Sequence, residues 1–387
     1  MSGILLHDGR RPGQLKWSLE AIQISVADGI IISPFSTPRV TLPRNPSGLD
    51  VVSKVRMIGG ETIFDPTTHA RLLPGVNRLE YYDTWELWGR DGVGLDQPAR
   101  RLQHVECVFQ RQAELGTPYL SPTLALDSPQ ATNARYAFET AQLARGLSPG
   151  SWQALAGRPS FWRAGHYLDA YVGRLSALRA PTWVLTMVND LVPDHTPNLS
   201  DIEAFAGFCR TVHSLSERAR VIIAHSDYAG LPSVAAGADT VGSGWDRAMR
   251  QFDPGAYRVR SDSPRIPASY VTQAGLAAVL KRETADIIDR WDARLAEVVR
   301  GGPMPPGDPM ERIHHLRSVR DVVIGINSQS TRRERVARLR RHYDNAGAFF
   351  DQLITSLPGV IRPNDKEVWR DRPIGCLEAY AVPEGLW

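Results

Sequence analysis

No stretch of this sequence approaches the ~18 uninterrupted apolar residues that a membrane-spanning helix requires, so that class falls away first. The amino terminus reads MSGILLHDGRRPGQ, and its apolar run Ile4-Leu5-Leu6 meets His7 and Asp8 at once, so a secretory apolar core is missing too. The expectation is a cytoplasmic protein with no membrane association. Cysteine is scarce: Cys107, Cys209 and Cys376 stand far apart without CxxC spacing, which argues against a zinc knuckle or a disulfide framework and for buried thiols. HExxH and HxH spacings are absent, so no metal is assigned, and no GxGxxG follows the first strand, which argues against a Rossmann dinucleotide site. The sequence leaves the cofactor unknown. Charge of one sign is also lacking. A formal net charge of +3 on 387 residues excludes a polyanion binder acting through its whole surface, while leaving room for a local basic patch.

What is present is a globular composition, 42% apolar and 22% charged, enough to bury a large core. Short aliphatic runs recur, each followed by helical periodicity, which is the pattern of βα units in a parallel sheet. Strands are predicted at Ile4–Asp8, Ile30–Ser33, Thr62–Asp65, Tyr119–Leu126, Thr182–Val188, Val221–Ala224, Thr240–Gly242 and Tyr257–Val259. Two helices are expected between Ala131 and Leu178. From about residue 270 the pattern is helical only, in Val271–Val299, Met310–Val323 and Thr331–Leu357. The fold class is therefore α/β, a (β/α)8 TIM-type barrel over 1–265. It carries an aromatic insertion at 66–96 and a C-terminal helical extension over 266–387.

In such a barrel the strand ends and following loops converge on one rim, where catalytic groups gather. The predicted strand ends carry His7 and Asp8, Ser33, Asp65, Asn189 and Asp190, His225 and Asp227, then Ser243, Trp245 and Asp246. An Asp just past a strand is also a favoured helix cap, so recurrence at equivalent positions is the argument, not any single residue. Asp65 is sharper because Pro66 forces extended geometry on it. His225 and Asp227 stand two apart, on one side of an extended chain, where they can share a proton. The catalytic candidates are thus Asp65, His225, Asp227, Asp190, His7 and Asp8. His69, His195, His314 and His315 carry less: the last two are adjacent on a helix and point in different directions.

The segment Ala235-Ala236-Gly237-Ala238-Asp239-Thr240-Val241-Gly242-Ser243-Gly244 reads as a helix end, a turn, a buried strand and a glycine turn opening a further helix. Backbone N–H groups at such a turn, with a helix N-terminus behind them, attract anions. The stretch is similar to the Ala-Gly-Ala-Asp, strand, Gly pattern of many phosphate-binding barrels. Gly242, Ser243, Gly244, Arg247 and Arg258 are the candidate anion site, with Arg250 and Arg260 nearby.

Two functions are compatible with these residues. The first is an enzyme acting by acid–base chemistry on a phosphorylated or otherwise anionic small molecule or nucleotide, a transferase, hydrolase or lyase. The second is a barrel that binds RNA or a protein partner through the helix TRRERVARLRRHYDNAGAFFDQL, whose apolar stripe Val336, Leu339, Tyr343, Ala346 and Phe350 leaves Arg338, Arg340 and Arg341 on the other face. An acidic rim with a basic appendage resembles the plan of the tRNA-guanine transglycosylases, although their cysteine-rich zinc motif has no counterpart here.

Overall fold

The computed structural model describes residues 3–11, 13–90, 92–189, 192, 199–259 and 269–387. Eight strands form one parallel sheet: β1 Gly3–His7, β2 Gly29–Ile32, β3 Glu61–Phe64, β4 Ala125–Leu126, β5 Gln153–Gly157, β6 Thr182–Met187, β7 Arg220–Ala224 and β8 Thr240–Ser243. Runs such as Ile4-Leu5-Leu6 and Ile30-Ile31-Ile32 are apolar at every position because both faces of the sheet are covered. Helices link successive strands: Gln14–Gln23, Gly48–Met57, Pro98–Leu115, Thr132–Leu147, His166–Ser176, Ile202–Ser216 and Leu231–Ala236. Ser47 starts the second of these with a capping box, its hydroxyl accepting from the Asp50 N–H while the Asp50 carboxylate accepts from the Ser47 N–H.

Strand order is β3-β2-β1-β8-β7-β6-β5-β4, which is sequence order around a curl. The ladder does not close as the barrel expectation requires, because β3 and β4 are its two ends, unpaired with each other among the described residues. The sheet is a curled half-barrel by backbone pairing. Two features nevertheless draw its edges together. Leu5, Ile31, Ile63, Leu120, Val184 and Ile222, from positions all around the curl, form a core cluster of their own. At the N-terminal end Arg220 of β7 donates to both carboxylate oxygens of Glu61 on β3, at 2.6 and 2.8 Å.

The open seam is bridged by one side chain. Gln112, fully buried, donates from Nε2 to the carbonyls of Phe64 and Leu120, both at 3.0 Å, and its Oε1 accepts from the Leu120 N–H at 3.1 Å. A glutamine amide thus satisfies backbone groups that a strand neighbour would otherwise serve.

Four predicted elements differ. The fifth strand in sequence, β5, lies in the stretch expected as helix: Gln153-Ala154-Leu155-Ala156-Gly157 has no β-branched residues, yet it pairs with β6 over its whole length. Tyr257–Val259 is no strand; Pro254–Tyr257 is a single 3-10 turn and Val259 is exposed. The expected helix from Val271 begins as a hairpin, β9 Tyr270–Gln273 with β10 Ala278–Lys281, before helices Arg282–Trp291 and Ala293–Arg300. One missed strand and one spurious one left the count at eight. The predicted strand Tyr119–Leu126 is reduced to β4 and an isolated bridge from Leu120 to Trp152.

Helix Met310–Asn327 packs on β1 and β8, so the C-terminal segment supplies the wall that the chain omits after β8. Helices Arg332–Ser356 and Arg372–Ala381 come next, and the predicted stripe Val336, Leu339, Tyr343, Ala346 and Phe350 is the buried face of the first. No helix among the described residues is long and apolar enough to cross a membrane. Replacing Gln112 by leucine should lower the urea unfolding free energy by about 3 kcal/mol, because three buried backbone groups lose their partner. An unchanged midpoint would show that the seam is held by other contacts.

Candidate functional site

β1 and β7 bring His7 and His225 together at the C-terminal rim, where their rings stack with centroids 3.5 Å apart and planes 10° from parallel. The backbone N–H of His225 donates to His7 Nε2 at 2.9 Å, so the His7 proton resides on Nδ1. Burial, then the neighbouring His225, holds the His7 pKa well below its usual value. His225 Nδ1 faces the Met249 carbonyl at 2.9 Å, and a carbonyl only accepts, so this nitrogen is the donor. Burial lowers the His225 pKa to about 4, leaving a neutral ring with a lone pair on Nε2. His225 takes a left-handed backbone, φ 48°, an uncommon conformation for a non-glycine residue.

Gly242 makes this packing feasible. A Cβ there would lie 2.5 Å from His7 Nε2 and 2.8 Å from the His225 N. The glycine read as part of a phosphate turn is needed for the approach of two histidines.

Asp65 is buried beside this pair. Its Oδ1 accepts from the Thr67 N–H at 2.7 Å, Thr67 in turn meets Ser33 through their hydroxyls at 2.9 Å, and burial raises the Asp65 pKa. His225 and Asp65 are near enough to perturb each other, the imidazole favouring the carboxylate and the carboxylate the imidazolium. Asp8 sits one residue beyond His7, accepts from the Thr37 hydroxyl at 2.5 Å, and is pushed up to about 6 by burial. His69, which sequence reasoning ranked low, is also buried here; its Nε2 has no partner among the described residues.

The mouth above these groups is filled. Phe252 packs on His69 at 5.2 Å, on His225 at 5.8 Å and on Tyr257 at 5.3 Å. The chamber around His225, lined also by Met187, Asn189, Phe205, Ser226 and Gln251, has room for about 20 Å³, one water-sized group.

Asp227 does something different from sharing a proton with His225. It is buried; its Oδ2 accepts from the Ser243 hydroxyl at 2.6 Å and from His315 Nε2 at 2.8 Å, and Arg250 Nε lies 3.7 Å away. Its own burial is outweighed by His315, Arg250 and Ser243, which together hold the carboxyl well below the ordinary range. His315 Nδ1 in turn accepts from the Thr272 hydroxyl at 2.8 Å. Asp227 is a clasp joining the rim to β9 and to helix Met310–Asn327. His315 is buried one residue before the apolar stripe Leu316, Val319, Val323 and Ile326, and no local pattern in the sequence points to its contact with Asp227.

The predicted anion turn is placed otherwise. The helix expected after Gly244 is a three-residue 3-10 turn, Arg247–Met249, so no helix N-terminus stands behind the turn. The Ser243 hydroxyl is committed to Asp227, and the Gly244 carbonyl accepts from Arg250 Nε at 3.0 Å. Arg258 is exposed and donates to the Pro74 carbonyl at 2.9 Å. Arg247, stacked 4.0 Å over the Tyr270 ring, and the buried Arg250 instead line a small gap beside Asp227 and Trp369. Trp245 bonds Ser18 in the core and Asp246 pairs with Arg11 and Arg312, so neither joins the chamber. Asp190, Asp194, His195 and Arg260 lie outside the described residues.

Among the described residues no group of three or more His, Cys, Asp and Glu is arranged to hold a metal ion. Cys209 and Cys376 are buried thiols as expected, while Cys107 is partly exposed. On the arginine helix, Arg340 pairs with Asp344 and lies over Trp387, while Arg338 and Arg341 are exposed. Arg332 and Arg335 of the same helix are spent on internal carbonyls.

No family model and no curated protein matches the chain. Among solved structures, a probable tagatose 6-phosphate kinase from Sinorhizobium meliloti 1021 aligns over 100% of this chain and 99% of its own, with TM-score 0.34 and 12% identity. An O-GlcNAc hydrolase variant from Thermobaculum terrenum aligns over 99% and 96%, with TM-score 0.35 and 10% identity. At those scores neither transfers a role to any residue here.

Gly242→Ala should destabilise the fold by about 2 kcal/mol, since the added methyl meets one ring nitrogen and one backbone nitrogen within a packed rim. Thermal unfolding with and without the substitution measures this, and a neutral result would contradict the close approach of His7 and His225.

Proposed function

We propose that the chain is an enzyme acting on a small anionic compound by acid–base chemistry at the C-terminal rim, with His225 as base and Asp65 as acid. The observation that carries this reading is the His225 ring itself: its Nδ1 is committed to the Met249 carbonyl, its ring is neutral, and its Nε2 has no hydrogen-bond partner among the described residues where it lines the chamber. Beside it stands Asp65, whose carboxyl pKa is raised by burial. Two neighbouring titratable groups whose burial pushes their pKa values in opposite directions are an arrangement that supports acid and base roles.

His7 and Asp227 are positioning residues in this scheme. His7 fixes the His225 backbone through its Nε2, and Asp227 anchors Ser243 and His315 around the same rim. Asp8 joins the rim's acid groups. The anionic end of the substrate falls to Arg250 and Arg247, in the gap separated from the chamber only by Ser226 and Gln251, which line both. This replaces the Gly242–Gly244 turn as the anion holder and leaves Arg258 out.

We read residues 1–265 as a barrel unit with an unlaced seam and 266–387 as an extension that completes its wall and lends His315 to the rim. Because the chamber holds only one water-sized group, substrate entry requires the segment bearing Gln251 and Phe252 to move aside. Water exclusion on its return would strengthen every charge interaction inside.

The test is turnover against a panel of small phosphate and carboxylate compounds, and then the same assay on Asp65→Asn and His225→Asn, the latter chosen because asparagine accepts the left-handed backbone. Each variant should lose about a hundredfold or more in kcat/KM, with an unfolding midpoint within about 4 °C of the parent. Turnover that survives both substitutions would remove these residues from the chemistry.

A further inference from the structure

Outside the rim, a cleft with cationic lining lies between helices Met310–Asn327 and Arg332–Ser356, with a volume of about 240 Å³. Its lining is mixed in chemistry. Val322, Ile326 and Leu339 contribute apolar lining, and Arg317, Arg338 and His342 cationic and polar lining. Arg317 and Arg338 are exposed, and neither is committed to a carboxylate or carbonyl among the described residues. One carboxylate, Asp321, also lines the cleft, four residues after Arg317 on the same helix.

A second observation points to a ligand. His342 Nε2 is enclosed yet has no hydrogen-bond partner among the described residues. Burial and the Arg338 charge keep that ring neutral, its pKa lowered to about 4, so the cleft retains polar capacity that the fold does not use. Left empty, a buried ring nitrogen of this kind is a cost; an oxyanion beside it, with a proton on Nε2, would satisfy it. Two guanidiniums that lack an internal partner supply the forked donors that phosphate oxygens match.

We propose that this cleft binds a small organic phosphate, its phosphate between Arg317 and Arg338 with His342 as a further donor, and its apolar body on Val322, Ile326 and Leu339. The site is separate from the rim but mechanically adjacent to it. His314, which lines the cleft, faces the Thr272 carbonyl through Nε2 at 3.1 Å, and the next residue, His315, bonds both the Thr272 hydroxyl and Asp227. One helix therefore presents one histidine to the cleft and its neighbour to the clasp.

Naphthyl phosphate is a suitable probe, with inorganic phosphate and naphthol as its two halves, titrated calorimetrically into the full chain. The parent should bind one equivalent of naphthyl phosphate, more tightly than either half. Arg317→Gln and Arg338→Gln should each weaken it by about tenfold, and the pair together should abolish it. Arg341→Gln, on the same helix but away from the cleft, should bind as the parent does. Arg247→Gln, which removes a cation from the rim's proposed anion subsite, should also leave this binding unchanged, which separates the cleft from the rim. Absence of binding by the parent, naphthol binding as tightly as its phosphate, or undiminished binding in the double variant would each overturn the proposal.

Discussion

The rim is organised around a side chain that is missing. Gly242 leaves the gap through which His7 reaches the His225 backbone N–H, and a single methyl there would intrude on both. That contact sets the other features in order: His7 holds its proton on Nδ1, His225 accepts a left-handed backbone, and its ring turns Nδ1 to Met249 and keeps Nε2 uncommitted. The stack excludes water from one face of each ring, and that burial is the main reason both imidazoles stay neutral.

Two further devices hold the frame on which the pair stands. Gln112 joins the two edges of the curled sheet through its amide, and Glu61 with Arg220 ties β3 to β7 at the opposite end. The Asp227 clasp then fastens the late elements to the early ones. A buried carboxylate with Ser243, His315 and Arg250 around it is costly to strip of its partners, so β9 and helix Met310–Asn327 are constrained to dock where His315 meets it. The wall that lies against β1 and β8 thus comes from a segment distant in sequence.

Much of this was legible in the residues. Aliphatic runs marked most strands because a sheet covered on both faces admits little else, and reading strand ends as a rim brought His7, Asp65 and His225 into one group. β5 was missed because alanine and glycine carry no strand signature; only its pairing with β6 makes it one. The anion reading of Gly242-Ser243-Gly244 failed at the residues just beyond the turn: Met249 packs against Gly244 and the chain folds back instead of continuing as a helix. Asp227 was paired with His225 from their spacing, but the strand has ended by then and Asp227 itself has a left-handed backbone, φ 48°, which turns it toward His315 instead. That contact spans 88 residues of sequence, beyond the reach of any local pattern.

The tautomers of the stacked histidines give the most direct test of the account. Long-range nitrogen-15 spectra of the imidazoles, recorded from pH 5 to 8, should show His7 and His225 neutral throughout, each with its proton on Nδ1 and a lone pair on Nε2. An imidazolium signal from either ring near neutral pH, or a proton on His225 Nε2, would contradict it.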